Sequence, residues 1–383
     1  MRVLIVGAGI GGLSAAIALQ RRGIEAALFE RTTELREIGA GIAIAANAMK
    51  ALDSLGLADT VRQIGTEPRF YEIRSWRGEL LSRVPVSEQS EMLGATSIAA
   101  HRADLQTALL QGLAEAGGEV HLGAECVGFK QTGRCVRVSF ADGREERSDL
   151  LIGADGLNST VRERLLGDGP PRYAGYTAWR AVVSPERGLV PQGAVESWGR
   201  GTRFLFARID RGRVYWAAAQ NTPEGADREP AEGRKDALLA TFRGWHEPTE
   251  ELIRATDERA ILHTDIYDRD PLGERWGEER VSLLGDAAHP MTPDLGQGAC
   301  QAIEDAVVLA KCLSEQSDSA SALRRYEARR TRRVAAIVQR SRRLGRVAQL
   351  ENPLLCQLRD VLLKTTPDRM LLRQAKKIVA YEV

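Results

Sequence analysis

Aromatic residues, long apolar runs and patterned cysteines are all scarce in this sequence. Aromatic side chains make up 5% of the 383 residues, and no apolar stretch is long enough to cross a bilayer, so a transmembrane segment is not predicted. The net charge of +1 gives no reason to expect nucleic acid or an acidic lipid as a partner. Because no CxxC spacing is present, we predict no metal site around the scattered cysteines Cys126, Cys135, Cys300, Cys312 and Cys356.

The signals of a secreted protein are also missing. The amino-terminal apolar run is broken by glycines, so it does not predict a signal peptide, and the odd number of cysteines suits a reducing compartment. We therefore expect a cytoplasmic protein, as a monomer or a homodimer. The chain is 43% hydrophobic and 27% charged, as in a globular protein, and its length suits two intertwined domains.

The first thirty residues carry the strongest pattern that is present. An apolar, β-branched run over residues 2–6 leads into Gly7, Gly9 and Gly12 at GxGxxG spacing, then a small apolar helical stretch, then a second strand that ends at Glu30. The glycines allow a tight turn, the approach of backbone N–H groups to a diphosphate, and close packing of helix on strand, while the acid can bind a ribose. This stretch predicts an adenine dinucleotide, but it does not distinguish NAD from FAD.

Two later turns favour FAD. A buried strand runs into Gly153–Gly156, and another runs into Gly285 and Asp286. Ligands of doubly wound sheets gather at the carboxyl ends of the strands, so three such turns indicate one extended ligand. The polyol chain of FAD needs hydroxyl partners partway along its length, and Asp286 is a suitable one.

The alternation of helical and strand-like patterns along the rest of the chain predicts an α/β fold. It has a Rossmann-like FAD-binding domain interleaved with a β-sheet substrate domain, plus C-terminal helices. We assign residues 1–70, 98–175 and 275–320 to the discontinuous FAD-binding domain, 71–97 and 176–274 to the substrate-binding β domain, and 321–383 to the C-terminal helical segment. The tail from Arg324 carries 16 Lys and Arg against 5 Asp and Glu. We interpret it as a solvated helix face in preference to a membrane-surface or partner-docking segment.

Four motifs in this order resemble the flavoprotein aromatic hydroxylases, the superfamily of para-hydroxybenzoate hydroxylase. They are GAGIGG at Gly7–Gly12, the Arg102 of HRADL, GADGLNSTVR at Gly153–Arg162, and GDAAHPMTPDLGQGACQAIEDA at Gly285–Ala306. The pattern is most similar to salicylate hydroxylases, hydroxynicotinate monooxygenases, the flavin-dependent urate hydroxylase and zeaxanthin-epoxidase-like proteins. The resemblance covers about residues 1–345.

The resemblance implies roles for individual residues in FAD binding. Glu30, with Arg31 beside it, would bind the adenosine ribose, Arg102 the phosphate or ribityl region, and Asp286 a ribityl hydroxyl. Asp155 would serve both FAD and a transiently bound nicotinamide. The flavin ring would lie between the segment Gly39–Gly41 on one side and, on the other, backbone N–H groups at its pyrimidine edge from Gly296, Gly298 and Ala299.

The same resemblance implies an activity. NAD(P)H would visit as a transient co-substrate, since no second GxGxxG is present, and O2 would form a flavin hydroperoxide that an electron-rich aromatic carbon attacks. The alternatives are epoxidation of an alkene or isoprenoid by the same chemistry, and a flavin reductase or dehydrogenase that inserts no oxygen. An NAD-dependent dehydrogenase fits less well, because of Asp286 and the glycine-rich segment Gly296–Ala299.

The substrate side departs from part of the family. Salicylate- and nicotinate-type members carry a histidine on a substrate-domain strand, and this chain has none within residues 195–219. Arg203, Tyr215 and Asp294 instead stand at spacings that resemble the substrate-contacting residues of the urate hydroxylase, and they would suit a polar or anionic heteroaromatic ring.

An apolar substrate is the other interpretation of these strands. Trp198, Phe204, Phe206 and Trp216 could wall an isoprenoid or polycyclic molecule. Adjacent residues of a strand face opposite sides of the sheet, so not all four can line one pocket.

Overall fold

The computed structural model describes residues 1–35, 40–185, 188–210, 212–226 and 232–381. The predicted flavin contact at Gly39 lies outside the described residues. The strands, numbered in chain order, are β1 (Arg2–Val6), β2 (Glu25–Phe29), β3 (Gly41–Ile44), β4 (Gly65–Thr66), β5 (Phe70–Ser75), β6 (Leu80–Pro85), β7 (Ile98–His101), β8 (Val120–His121), β9 (Cys126–Thr132), β10 (Cys135–Phe140), β11 (Glu145–Ser148), β12 (Leu150–Gly153), β13 (Arg172–Val183), β14 (Ala194–Trp198), β15 (Thr202–Arg208), β16 (Val214–Asn221), β17 (Leu262–Asp268) and β18 (Val281–Leu283). The α-helices are α1 (Ile10–Gln20), α2 (Ala46–Ser54), α3 (Ala58–Ile64), α4 (Val86–Leu93), α5 (Arg102–Glu115), α6 (Thr160–Leu166), α7 (Arg234–Thr241), α8 (Thr249–Ala255), α9 (Gly298–Glu315), α10 (Ser319–Ala348), α11 (Pro353–Thr365) and α12 (Asp368–Val379).

A five-stranded parallel sheet forms the centre of the cofactor side. Its order is β18-β12-β1-β2-β8, so the three strands that run into the glycine turns, β1, β12 and β18, are neighbours. Their residues are almost all buried, as the apolar runs predict. The three turns therefore emerge side by side at one edge of the sheet.

Steric contacts explain why the first turn needs glycine. Gly7 has φ +104°, and a Cβ there would lie 2.4 Å from the carbonyl oxygen of Ala154 in the second turn. A Cβ on Gly12 would lie 1.8 Å from the carbonyl oxygen of Gly7. The first turn is therefore packed against the second, and α1 against the first, with no room for a side chain.

A seven-stranded mixed sheet, in the order β17-β13-β16-β15-β14-β5-β6, forms the other layer. One face packs on α7 and α8 in a separate core that contains Phe204, Phe206 and Trp216. Residues paired across antiparallel strands share a face, so the pairs Arg203 with Ala219 and Trp198 with Arg203 place those residues on the opposite face. Of the four aromatics considered for an apolar substrate, Phe204, Phe206 and Trp216 therefore face α7 and α8, and only Trp198 shares the face of Arg203.

The carboxyl-terminal helices pack on the cofactor side through buried charges. Arg330 on α10 has no exposed side-chain surface and donates to Glu304 at 2.5 Å and to Asp305 at 2.6 Å on α9. Burial alone would raise the pKa of Asp305, but the charges of His289 and Arg330 hold it below the usual range. The α9–α10 pair is thereby fixed behind the third turn.

The tail from Arg324 was expected to form a solvated basic helix face, and this holds for only part of it. α10 buries an apolar stripe and exposes several of its arginines, as expected, whereas α11 exposes a row of large aliphatic side chains, namely Leu354, Leu355, Leu358, Val361 and Leu362. Among the described residues, no helix is long and apolar enough to cross a membrane.

The predicted α/β architecture with C-terminal helices is confirmed. α3 and α4 were not predicted, because they are short and their sequences lack a clear apolar period. β13 begins at Arg172, which lies within the segment 98–175 that the sequence assigned to the FAD-binding domain. The residue limits given above for the domains stay a prediction.

We expect the Arg330→Ala variant to lose about 3–5 kcal/mol of unfolding free energy, because it leaves two buried carboxylates without their cation. Urea unfolding of the holoenzyme measures this loss. Arg343→Ala, on the exposed side of the same helix, is the control and should change the value by less than about 0.5 kcal/mol. Equal effects of the two substitutions would contradict the assignment.

Candidate active site

The first turn offers an open position at the start of a helix. A Cβ on Gly9 would meet nothing within 4 Å, and Gly9 immediately precedes α1. The carboxylate of Glu30 accepts hydrogen bonds from the N–H groups of Ala8 at 2.8 Å and Thr32 at 3.0 Å, and Arg31 is exposed beside it. The helix amino terminus, the space in front of it and the nearby acid form a cradle of the kind that binds a nucleotide diphosphate and its ribose.

Asp286 lies in the third turn, directly after β18. It is exposed, and the described part of the chain gives its carboxylate no hydrogen-bond donor. The protein that encloses its other sides raises its pKa by burial, while the charges of His289 and Arg102 act in the opposite direction. A Cβ on Gly298 would lie 3.7 Å from its Oδ1, so Asp286 stands directly beside the start of α9.

Tyr215 faces the strand that was predicted to pass the flavin ring. A Cβ on Gly41 would lie 2.2 Å from the Cγ of Tyr215, so only glycine fits this contact. Burial raises the pKa of the Tyr215 hydroxyl, and the charges of Arg180 and Arg102 oppose that shift. Gly41, Arg102 and Tyr215, predicted from three distant segments, are therefore brought together.

The second turn is closed by its own side chains. Ser159 caps α6 by accepting from the N–H of Arg162 at 2.9 Å. The carboxylate of Asp155 accepts from the Ser159 hydroxyl at 2.5 Å and from the N–H of Val161 at 3.1 Å, and burial raises its pKa. The side chain of Asp155 is thus turned towards the helix, and its backbone lies against Gly7.

Buried side-chain hydrogen bonds fix the loop before α9. Gly296 has φ +61°, and Gly298 and the half-buried Ala299 form the first turn of α9. The buried Gln297 accepts from the side-chain amides of Asn47 at 3.1 Å and Gln301 at 3.0 Å. The free N–H groups of the helix start are therefore presented towards the cleft on a rigid support.

Arg203 and Asp294 form a buried ion pair between the two layers. Arg203 donates to Asp294 and, at 3.2 Å, to Glu196, and both carboxylate side chains are at most 8% exposed. The hydroxyl of Tyr176 donates to both oxygens of Asp294 at 3.1 and 3.2 Å, and that of Tyr71 donates to Glu196. Burial alone would lower the pKa of Arg203, but the two carboxylates raise it well above its usual value.

The sequence did not identify Glu196, Tyr71 and Tyr176 as site residues. The only available signal was the strand alternation, which places Glu196 on the same face as Arg203. The structure also separates two residues that were predicted to act together. Arg203 pairs with Ala219 and Tyr215 pairs with Ala207, so Arg203 and Tyr215 share a face but lie at opposite ends of it.

An open cavity of about 540 Å³ lies beyond the ion pair and is lined by Tyr176, Asp294, Arg346 and residues of β16 and α10. Gly345 on α10 supports Asp294 from this side, since a Cβ there would lie 2.6 Å from the carboxylate. The position of Asp294 therefore depends on the absence of a side chain at residue 345.

No histidine lies on the face of the sheet that carries Arg203; all five are among the described residues. His263 bonds Thr177 at 2.7 Å on the far face, and His289 bonds the buried Asp305 at 2.6 Å in a structural role. Because residues 195–219 contain no histidine, the polar groups around Arg203 are carboxylates, tyrosines and arginines.

The residues of the cleft fit FAD. The open helix start at Gly9, the acid at Glu30, the unpaired carboxylate of Asp286 and the rigid helix start at Gly298 form a continuous series along the strand ends. These groups match a diphosphate, a ribose, a polyol and an anionic ring edge.

Comparison with known proteins agrees with this geometry. The model of the FAD binding domain family matches residues 1–182 and 211–341, and the chain belongs to this family. It is 45% identical to the aurachin C monooxygenase/isomerase of Stigmatella aurantiaca, over 95% of this chain and 94% of that protein. It is 37% identical to the 3-amino-4-hydroxybenzoate 2-monooxygenase of Streptomyces cremeus, over 96% and 93% of the two chains.

A solved structure is similar over nearly the whole chain. It is HpxO of Klebsiella pneumoniae complexed with FAD and uric acid, with a TM-score of 0.92, 32% identity, and coverage of 99% of this chain and 96% of that chain. The resemblance to flavoprotein aromatic hydroxylases is confirmed: the chain is an oxidoreductase, an FAD-dependent monooxygenase of this class. The interpretations as a flavin reductase or an NAD-dependent dehydrogenase are set aside.

We expect Gly345→Ala to raise the KM for the organic substrate and to leave the FAD content unchanged, because the added methyl displaces Asp294 and not the cofactor cradle. Alanine is the better helix former by about 1 kcal/mol, so the variant should not unfold for local reasons. Steady-state kinetics and the flavin absorbance measure the two effects. An unchanged KM would contradict the contact between Gly345 and Asp294.

Proposed function

We propose that this protein uses NAD(P)H and O2 to hydroxylate an electron-rich aromatic or heteroaromatic ring, which is held between the loop before α9 and the Arg203 face of the seven-stranded sheet. The observation that carries the proposal is the cleft itself. Gly298 stands beside Asp286, Tyr215 lies against Gly41, and Arg203, on the same sheet face as Tyr215, contacts Asp294 in the loop before α9. The relatives named above are a 3-amino-4-hydroxybenzoate 2-monooxygenase and an aurachin C monooxygenase/isomerase, and the similar structure was solved with uric acid, which supports a ring as substrate.

The cofactor assignments form the first part of the proposal. Glu30, with Arg31 beside it, and the open position at Gly9 would hold the adenosine and diphosphate, with Gly7 and Gly12 shaping the turn. Asp286 and Arg102 would hold the ribityl and phosphate region. For Asp155 the bonds to α6 favour contact through its backbone, since its carboxylate is engaged.

When bound, FAD supplies hydride acceptance from NAD(P)H and the activation of O2. The chain's own part is to place groups around that chemistry. The N–H groups of Gly298 and Ala299 would face the ring edge where negative charge develops, and Gly296 allows the backbone to turn there. Gly41 and Tyr215, which lie against each other, would shield the ring from water on the other side.

The substrate side is the second part of the proposal. Arg203 and Asp294 bound the pocket at one end and Tyr215 bounds it at the other, so these three residues position the ring. No histidine base is available on this face. Epoxidation of an alkene is the alternative, and the partly exposed apolar residues Leu205 and Ile73 on the same face are compatible with it.

NAD(P)H is proposed as a transient visitor that delivers hydride and leaves. A cytoplasmic location and a monomeric or homodimeric state are proposed from the sequence. The substrates are small molecules, and no nucleic-acid partner is proposed.

Ring-stimulated oxygen consumption tests the function. The purified holoenzyme should oxidise NADH or NADPH faster when a suitable phenol, purine or quinolone is added, with O2 uptake matched to the NAD(P)H consumed. Product analysis by mass spectrometry should show one added oxygen atom. Ligand-stimulated NAD(P)H oxidation without any O2 uptake would overturn the proposal.

We expect Asp286→Ala to weaken FAD binding by roughly tenfold, because the ribityl chain loses a charged hydrogen-bond acceptor. The purified variant should therefore contain less FAD than the wild-type protein. Heat release and quantification of the flavin measure this loss. Asp53→Ala, an exposed acid on α2, is the matched control and should retain full flavin. Full retention in both variants would remove Asp286 from the cofactor site.

A further inference from the structure

Helix α11 exposes large aliphatic side chains along one face. The exposed fraction is 73% for Leu354 and 49–57% for the other four. Their spacing follows the period of a single helix face. The five side chains are here called the aliphatic row: Leu354, Leu355, Leu358, Val361 and Leu362. A continuous exposed apolar surface of this kind marks an interaction site, unlike apolar residues that are exposed singly.

The opposite face of α11 is fixed to the protein. Cys356 is buried there, and the buried guanidinium of Arg359 donates to the carbonyl oxygen of Ala348 at 3.1 Å and lies over the ring of Trp198. Asn352 caps the helix start by accepting from two backbone N–H groups. Because α11 is held on that side, the aliphatic row faces solvent and cannot turn inward.

The next helix does not cover the aliphatic row. α12 packs against α2 and β6, and α11 also packs against β6. Since β6 is the outermost strand of the seven-stranded sheet, both helices lie at the same edge of that sheet. The row of α11 and the exposed face of α12 therefore belong to one side of the molecule.

The surface beside the aliphatic row is basic. Residues 353–379 contain six Lys or Arg against two Asp. Arg373, Lys376 and Lys377 on α12 are exposed, and the described part of the chain gives them no acidic partner. Asp360 on α11 is paired with Arg359 and neutralises none of these three. The net charge of +1 for the whole chain does not reveal this local excess.

This combination fits an anionic lipid surface. Aliphatic side chains of an interfacial helix enter the boundary between headgroups and acyl chains, while Lys and Arg meet the lipid phosphates. A second copy of the chain fits less well. A twofold interface through the aliphatic row would bring the unpaired cations of both copies towards each other, with no acids to pair them.

We propose that α11 and α12 form a docking surface for an anionic lipid bilayer. The aliphatic row enters the bilayer surface, and Arg373, Lys376 and Lys377 contact the headgroups. This proposal revises the interpretation of the tail as only a solvated helix face. It is independent of the proposed function, because the surface lies outside the candidate active site.

Vesicle flotation of the wild-type holoenzyme tests the proposal. We expect at least about tenfold tighter binding to vesicles of equal parts phosphatidylglycerol and phosphatidylcholine than to phosphatidylcholine alone, because each Lys or Arg near an anionic surface contributes about fivefold. Binding should weaken between about 0.1 M and 1 M salt, as the Debye length falls from about 10 Å to 3 Å. Absence of binding to the anionic vesicles, or equal binding to both kinds, would overturn the proposal.

Substitution of the aliphatic row separates insertion from charge attraction. The Leu358→Ser/Leu362→Ser variant should bind the anionic vesicles at least about tenfold more weakly, because it removes two apolar side chains from the bilayer surface. Leu166→Ser on α6 is the control, since Leu166 is an exposed leucine outside this surface, and it should bind as the wild type does. Unchanged binding of the double variant would contradict the proposal.

Two further measurements complete the test. The Arg373→Gln/Lys377→Gln variant should lose at least about fivefold of its affinity for the anionic vesicles, whereas Arg22→Gln/Arg134→Gln, which removes two exposed cations elsewhere, should not. Light scattering gives the oligomeric state of each protein. A wild-type dimer that becomes a monomer in the Leu358→Ser/Leu362→Ser variant would show that a second copy covers the row, and would overturn the proposal.

Discussion

The buried ion pair between Arg203 and Asp294 joins the two layers of the molecule. Arg203 belongs to the seven-stranded sheet, and Asp294 belongs to the loop that leads into α9. Because this contact is buried and Gly345 supports it from behind, the Arg203 face cannot shift without moving the loop that leads to Gly298. The sheet and this loop are therefore held together as one unit.

A second set of buried charges secures that loop from the opposite side. Glu304 receives bonds from Arg330, Arg333 and Asn47, and Asn47 also bonds Gln297. Such a network costs desolvation and is not a simple gain in stability. Its consequence is that the α9 start, where the ring edge of FAD is expected, has one defined position, as a preorganised electrostatic site requires.

The sequence predicted the cofactor side well because its signals are local. A turn that excludes Cβ atoms needs glycine at fixed spacings, so Gly7, Gly9 and Gly12 were readable from the chain alone. The contacts around Arg203 are non-local: Tyr71, Glu196 and Asp294 meet only after strands from distant segments pair. The faces of the aromatic residues could not be assigned for the same reason. Alternation separates Phe204 from Arg203, but it does not show which of the two residues faces the cofactor-binding layer.

A crystal structure of the holoenzyme with FAD and a bound aromatic ligand tests the central claim most directly. The account predicts that the flavin ring lies against Gly296–Ala299 and that the Arg203–Asp294 pair stays intact. A flavin ring placed away from this loop, or Arg203 swung out of the pair to bind the ligand, would contradict it.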